Sequence, residues 1–254
     1  MSYQNHFSAQ AAEYARFRPR YPAALFEWLA SVAPGRTLAW DCGTGSGQAA
    51  VALTALFDRV LASDPSAEQI AQAEPHPRVL YSVGAAETPP ANAHGVDLVT
   101  CAQALHWFDF ERFYSGLSGV LAPGGVFAAW GYGLMRVTPD VDAVVLDYYQ
   151  NIVGPYWPPD RVHIENRYQS IPFPFDTVPA PSFAMTARWD LDALLGYLDT
   201  WSATRRYRAA QGGDDPLVAL HPLLAEAWGK DNASRIVEWP LFSRVGRIAR
   251  SIRE

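Results

Sequence analysis

Five short apolar runs recur between residues 37 and 130, and most are separated by stretches of helical periodicity and Gly/Pro punctuation. They are Thr37 to Trp40, Arg59 to Ser63, Arg78 to Ser82, Val96 to Cys101 and Val126 to Trp130. Runs of four to six residues rich in Val, Leu and aromatics read as buried strands. Helices are expected at 48–57, 66–73 and 109–120, the last stopped by Pro123-Gly124-Gly125. Strands alternating with helices over short links predict a parallel sheet with helices on both faces. Such sheets bind ligands outside the carboxyl ends of their strands, where strand order reverses. That places the turn after the first strand, Asp64, the 84–87 segment and the 101–107 segment around one crevice.

The rest of the chain carries a weaker pattern. Residues 6–16 read as a helix, and a second opens at Pro22 with Leu25, Phe26, Trp28, Leu29 and Val32 on its apolar face. From 134 to about 180 the periodicity loosens into the Pro- and aromatic-rich NIVGPYWPPD and IPFPFDTVPAP, which read as an excursion forming a lid or wall. Residues 190–203 and 215–228 look helical, and Phe183 to Trp189 with Ser234 to Phe242 look like a final pair of strands. The expected organisation is a single domain, 1–254. Within it, 1–133 is a ligand-binding core with N-terminal helices, 134–180 an insertion, and 181–254 completes the sheet.

Composition excludes several classes. Hydrophobic residues are 49% and charged residues 18%, the balance of a folded globule rather than a disordered chain. The formal net charge of −6 offers no basic footprint for nucleic acid. No apolar run is long enough to span a bilayer, and the start lacks a signal-peptide core, so a cytoplasmic protein is expected, as monomer or homodimer. Cys42 and Cys101 each sit in a strand-like run and read as small buried residues. His163 and His221 lack partners at ligand spacing, so no metal site is expected.

The chemistry concentrates in Asp41-Cys42-Gly43-Thr44-Gly45-Ser46-Gly47, between a strand and a helix. Glycines allow a tight turn and close approach of a ligand to the backbone, and a helix start suits an anion. That anion is either a pyrophosphate or the carboxylate of a methyl donor's methionine end. A dinucleotide turn reads G-x-G-x-x-G, whereas this one reads G-T-G-S-G, which disfavours a nicotinamide-dependent oxidoreductase. Asp64 ends the second strand, where its carboxylate can accept from two ribose hydroxyls or cap the helix after Pro65. Gly84-Ala85-Ala86-Glu87 offers small residues for an adenine edge, while Glu87 reads equally as part of that site or as a solvated surface acid.

Taken together, D-C-G-T-G-S-G, A-S-D-P-S, A-A-E-T-P-P, V-D-L-V-T-C-A-Q-A-L-H-W-F and L-A-P-G-G-V-F resemble the class I S-adenosylmethionine-dependent methyltransferases. With Y-A-R-F-R-P-R-Y-P and Y-L-D-T-W-S-A-T, the chain is similar to the trans-aconitate methyltransferase-like group of methyltransferase type 11. The resemblance implies a Rossmann-like, doubly wound α/β fold, with a seven-stranded sheet in the order 3-2-1-4-5-7-6 and the last strand antiparallel. It implies S-adenosyl-L-methionine as cofactor, S-adenosyl-L-homocysteine as product, and methyl transfer to a small-molecule acceptor, with a carboxylate oxygen preferred. Donor contacts would come from Asp41, Gly43, Gly45, Asp64, Pro65, Ala86, Glu87, Ala102 and Gln103, with Tyr14 and Arg18 closing over the donor. A non-catalytic donor-binding module is the alternative that the same residues allow.

For the acceptor side, His106 follows the fourth strand and faces the expected crevice. It can act as a base, donate a hydrogen bond to the acceptor, or simply pack the next helix. Trp107, Tyr132, Tyr156 and Trp157 are candidates for an aromatic pocket, and Trp130 reads more readily as core. Arg205, Arg206 and Arg208 could hold an anionic acceptor or form a solvated helix face.

Overall fold

The structure, a computed structural model, describes residues 19–229 and 233–248. The helix expected at 6–16 lies outside the described residues. In chain order the strands are β1 (Leu38–Cys42), β2 (Arg59–Asp64), β3 (Val79–Val83), β4 (Val96–Ala102), β5 (Leu121–Tyr132), β6 (Asp176–Thr177), β7 (Ala184–Trp189) and β8 (Arg235–Arg247). The chain divides into two units. Among the described residues, one comprises 21–132, 162–183 and 241–248, and the other comprises 133–161, 184–229 and 233–240.

The first unit is built on seven strands in the order β3-β2-β1-β4-β5-β8-β6. Strands β1 to β5 run parallel, and β8 lies antiparallel to β5, with Val126 opposite Arg247 and Tyr132 opposite Leu241. This is the doubly wound order implied by the motifs. The edge beyond β8 is the two-residue β6, antiparallel at Asp176 and Thr177, rather than the 183–189 run. That run forms β7, which pairs with 235–240, the first half of β8, in the second unit.

Side-chain alternation explains why the sheet is buried on both faces. On β5, Phe127 and Ala129 point into one apolar cluster, while Val126, Ala128 and Trp130 point into the other. On β1, Trp40 faces the first cluster with Phe113 and Phe127, and Ala39 faces the second with Leu29 and Leu53. The helix Ala23–Val32 supplies Leu25, Phe26, Leu29 and Ala30 to that second cluster, on the face expected from its sequence. Trp130 is wholly buried against the edges of Tyr21 and Phe26, so it is core. Cys42 and Cys101 are free thiols, fully buried in the first cluster on β1 and β4.

Val162–Phe183, which takes in the second half of the 134–180 excursion, belongs to this unit and contributes side chains to its core. Ile164, Tyr168 and Ile171 are buried in the first cluster, and Phe173 and Phe175 stack on Phe127 at 5.9 and 5.4 Å. The Pro-Phe repetition reads as loop because it has no helical or strand period, but its half-buried rings pack against the first cluster.

The second unit gathers the helices Pro139–Asp147, Leu191–Asp199, Ser202–Ala210 and Pro216–Trp228 with the β7–β8 pair. The helical stretch read over 190–203 is two helices, broken at Thr200-Trp201. An aromatic cluster of Tyr149, Trp157, Tyr197, Trp201 and Trp239 occupies this unit.

Candidate active site

The turn after β1 is tied down before any ligand is considered. Gly43 and Thr44 N–H both donate to the Ser63 carbonyl at the end of β2, at 2.8 and 3.0 Å. Gly43, Gly45 and Gly47 all have positive φ, at 69°, 56° and 86°, conformations that favour glycine. The three differ in what surrounds them. A Cβ added at Gly43 would lie 2.6 Å from Cβ of Ala104, and one at Gly47 would lie 2.3 Å from Oη of Tyr81. At Gly45 an added Cβ would meet only Oε1 of Gln69, at 3.8 Å, among the described residues. Gly43 and Gly47 therefore lie tight against protein neighbours, while Gly45 leaves room over the backbone.

Asp41 and Asp64 brace this turn from two sides. Asp41 is fully buried, and its carboxylate accepts from Thr44 Oγ1 at 2.6 Å and Thr100 Oγ1 at 2.7 Å. Burial pushes its carboxyl up to about 6, against the lowering effect of hydrogen bonds from Thr44, Thr100 and the Ala50 backbone. Asp41 thus shapes the turn from beneath. Thr100 carries no local sequence signal for this job, because its partner is 59 residues away.

Asp64 Oδ2 accepts from Gly45 N–H, and Oδ1 accepts from Ser66 N–H, both at 2.9 Å. Its carboxyl is raised by burial, opposed by the Ser66 and Gly45 backbone bonds. Ser66, not Asp64 as the sequence allowed, caps the helix Ala67–Ala71, its hydroxyl accepting from Gln69 N–H at 3.2 Å; each Asp64 oxygen keeps a second lone pair. Pro65 beside it is exposed, and Ala86 is buried in the first cluster. Glu87 has a structural duty: its Oε1 accepts from Asp109 N–H at 2.8 Å at the start of the helix Phe110–Val120.

The end of β4 carries two features that sequence alone did not reveal. Gln103 has φ 56°, a left-handed conformation rare for a residue with a side chain. This turns its amide onto β5, where Oε1 accepts from Tyr132 N–H at 2.8 Å and Nε2 donates to the Tyr132 carbonyl at 3.2 Å. Gln103 N–H also donates to the Trp130 carbonyl. The Gln103 side chain therefore continues the β4–β5 ladder by one step, beside half-buried Ala102.

His106 follows in a single turn of 3-10 helix, Leu105–Trp107, in the segment whose Ala104 packs on Gly43. It is 9% exposed, and its Nδ1 lies 3.2 Å from Oη of Tyr168. Trp107 stacks on it at 4.6 Å between ring centroids and is itself 41% exposed. Tyr168 and Arg167 have φ of 60° and 51°, two consecutive left-handed residues that cost about 1–3 kcal/mol each. Nothing in Asn166-Arg167-Tyr168 announces this, since neither strained position is glycine.

The expected site residues divide between the units. His106, Trp107 and Tyr132 belong with the glycine turn, and Tyr132 is nearly buried. Tyr156 and Trp157 belong to the other unit. There Tyr156 accepts from Gln211 Nε2 at 2.8 Å, and Trp157 packs on Tyr149 and Trp201 with the Arg161 guanidinium 4.4 Å over its ring. Arg208 is engaged by Asp199 and Asp215, and Arg205 donates to the Thr200 carbonyl, so both have intramolecular partners. Tyr14 and Arg18 lie outside the described residues. Among the described residues no cluster of three His, Cys, Asp or Glu is placed to hold a metal, and no helix is long and apolar enough to cross a membrane.

Comparison with known proteins agrees with this geometry. Residues 40–129 match the family model of a methyltransferase domain. A Dictyostelium discoideum protein named as a methyltransferase is 33% identical over 241 residues, covering 93% of this chain and 91% of that protein. An uncharacterized methyltransferase of Mycobacterium tuberculosis is 31% identical, covering 88% of this chain and 89% of its own length. A solved structure from Anaeromyxobacter dehalogenans, described as a type II methyltransferase, is 51% identical with a TM-score of 0.83, covering 91% of this chain and 97% of that one. With the strand order, these relatives establish that the chain belongs to the class I S-adenosylmethionine-dependent methyltransferases, with S-adenosylmethionine as its methyl donor.

Proposed function

We propose that this enzyme methylates a small-molecule acceptor, and that the acceptor atom is a carboxylate oxygen. The observation that carries the reading is His106: a nearly buried imidazole, fixed by Tyr168, in the segment that packs on the donor turn. A carboxylate is already ionised near neutral pH and needs no base, so a fixed ring N–H that orients it is sufficient. The net charge of −6 favours a small molecule over nucleic acid.

The turn backbone at Gly43 and Gly45 would receive the amino-acid end of the donor, and Asp64 its ribose hydroxyls. Pro65, Ala86, Glu87 and the Ala102-Gln103 backbone would border the nucleoside, with Tyr14 and Arg18 from the N-terminal segment. When bound, the donor supplies a methyl carbon activated by a positively charged sulfur. The protein's part is alignment and exclusion of water: Asp41 and Asp64 hold the turn, Gln103 holds the β4–β5 end, and His106 orients the acceptor oxygen. Trp107 and Tyr132 would flank the acceptor.

The test is methyl transfer from tritiated S-adenosylmethionine to a panel of carboxylic acids, phenols and amines. The reading expects label in base-labile methyl esters. Label taken up only by phenols or amines would overturn it.

A further inference from the structure

We propose that Gln69 is a donor-binding residue: its side-chain amide borders the open side of Gly45 and donates to a ribose hydroxyl whose proton goes to Asp64. The inference rests on the reading of Gly45 and Asp64 as the seat of the donor.

The short helix Ala67–Ala71 buries one side chain, and it is a polar one. Gln69 is 9% exposed, while Ile70 next to it stays half-buried. A helix placed only for packing would bury the isoleucine instead. The backbone of Gln69 is engaged, its N–H with the Ser66 hydroxyl and its carbonyl with Gln72 N–H, each at 3.2 Å. Its side-chain amide hydrogen-bonds to none of the described residues. A buried amide left unpaired is costly, so this one points to a ligand.

Its place names the group that the ligand brings. Asp64 Oδ2 accepts from Gly45 N–H at 2.9 Å, and Gln69 Oε1 lies 3.8 Å from the position of a Gly45 Cβ, so both side chains end at one residue. An ionised carboxylate only accepts, whereas a hydroxyl donates one proton and also accepts on its oxygen. A hydroxyl that gives its proton to Asp64 therefore still lacks a donor, which Gln69 Nε2 supplies. No described residue pins either end of the amide, so rotation about its last torsion can present Nε2. Carboxylate and amide together read the hydroxyl and reject its deoxy form.

Calorimetry on the whole chain tests this, with S-adenosylhomocysteine and two analogues, each lacking one of its ribose hydroxyls. The variants are Gln69→Leu, which keeps helix propensity and loses the amide, and Asp64→Ala. Gln69→Leu is expected to bind S-adenosylhomocysteine about three- to tenfold more weakly, the loss of one neutral hydrogen bond. That deficit should vanish against one of the two analogues, because the contact is then missing from both proteins compared. Without ligand, Gln69→Leu should unfold at or above the wild-type temperature, since it removes an unpaired amide. A lower unfolding temperature marks a duty within the fold and overturns the proposal. An equal deficit with every ligand assigns the effect to packing and also overturns it. Unchanged affinity in Gln69→Leu beside weakened binding in Asp64→Ala overturns it while leaving the donor's seat standing. Unchanged affinity in both variants removes the seat itself, and the proposal with it.

Discussion

Replacing Asp64 with alanine separates a donor site from a mere turn. In the structure each carboxylate oxygen accepts one backbone N–H, from Gly45 and from Ser66, both at 2.9 Å. The second lone pair on each oxygen is what the donor's ribose hydroxyls would use. A hydrogen bond to a charged group contributes about 1.5–3 kcal/mol, so losing the ribose contact should weaken S-adenosylhomocysteine binding by about 10- to 150-fold. Asp64→Ala also frees two N–H groups, so the variant is expected to unfold at a lower temperature before any ligand is added. Calorimetry on a sample shown by its unfolding curve to be folded isolates the binding loss. Ligand-induced stabilisation gives a second reading, since the shift in unfolding temperature depends on ligand concentration over Kd. A folded Asp64→Ala that binds S-adenosylhomocysteine within about twofold of the wild type would refute the assignment of the ribose to β2's terminal acid.

Asp41→Asn tests the buried acid beneath the turn. Its carboxyl rises from 3.8 to about 6 on burial, so the native state holds the proton more tightly than the unfolded chain. The stability this gives is present below about pH 4 and is lost as pH rises through about 6, a change of about 3 kcal/mol. Urea unfolding of wild type and Asp41→Asn at about pH 4 and 7.5 should show that difference in the wild type only. Gly45→Ala should fold, with a cost of about 1–2 kcal/mol for its left-handed backbone, and lose S-adenosylhomocysteine binding by calorimetry. Gly47→Ala should instead destabilise the protein more than Gly45→Ala in thermal unfolding, because the new methyl meets the Tyr81 phenol, whose Oη donates to the Glu74 carbonyl. Gln103→Leu removes both side-chain bonds to Tyr132 and should lower the unfolding free energy by about 1–3 kcal/mol in urea titration.

What could be read from the residues alone follows the range of the interactions involved. Strands β1 to β5 were visible because each is a contiguous apolar run, and the glycine turn was visible because three glycines must share one short loop. Asp64 was visible because it sits at a strand end beside a helix start. The partners of Asp41 and His106 were not, since Thr100 and Tyr168 lie 59 and 62 residues from them. Two-residue β6 is too short for any period, so the sheet's far edge was assigned to the longer 183–189 run, which pairs elsewhere on β8. Arg208 looked solvated because its acidic partners, Asp199 and Asp215, flank the helix rather than lie within it.

The two cysteines have a practical consequence. Each sits in a central strand, wholly shielded, with its thiol held protonated by burial well above its ordinary range. Neither sulfur can meet an alkylating reagent until the middle of the sheet parts. Their modification rate is therefore an internal stopwatch for that opening, and a bound donor that clasps the turn should slow it.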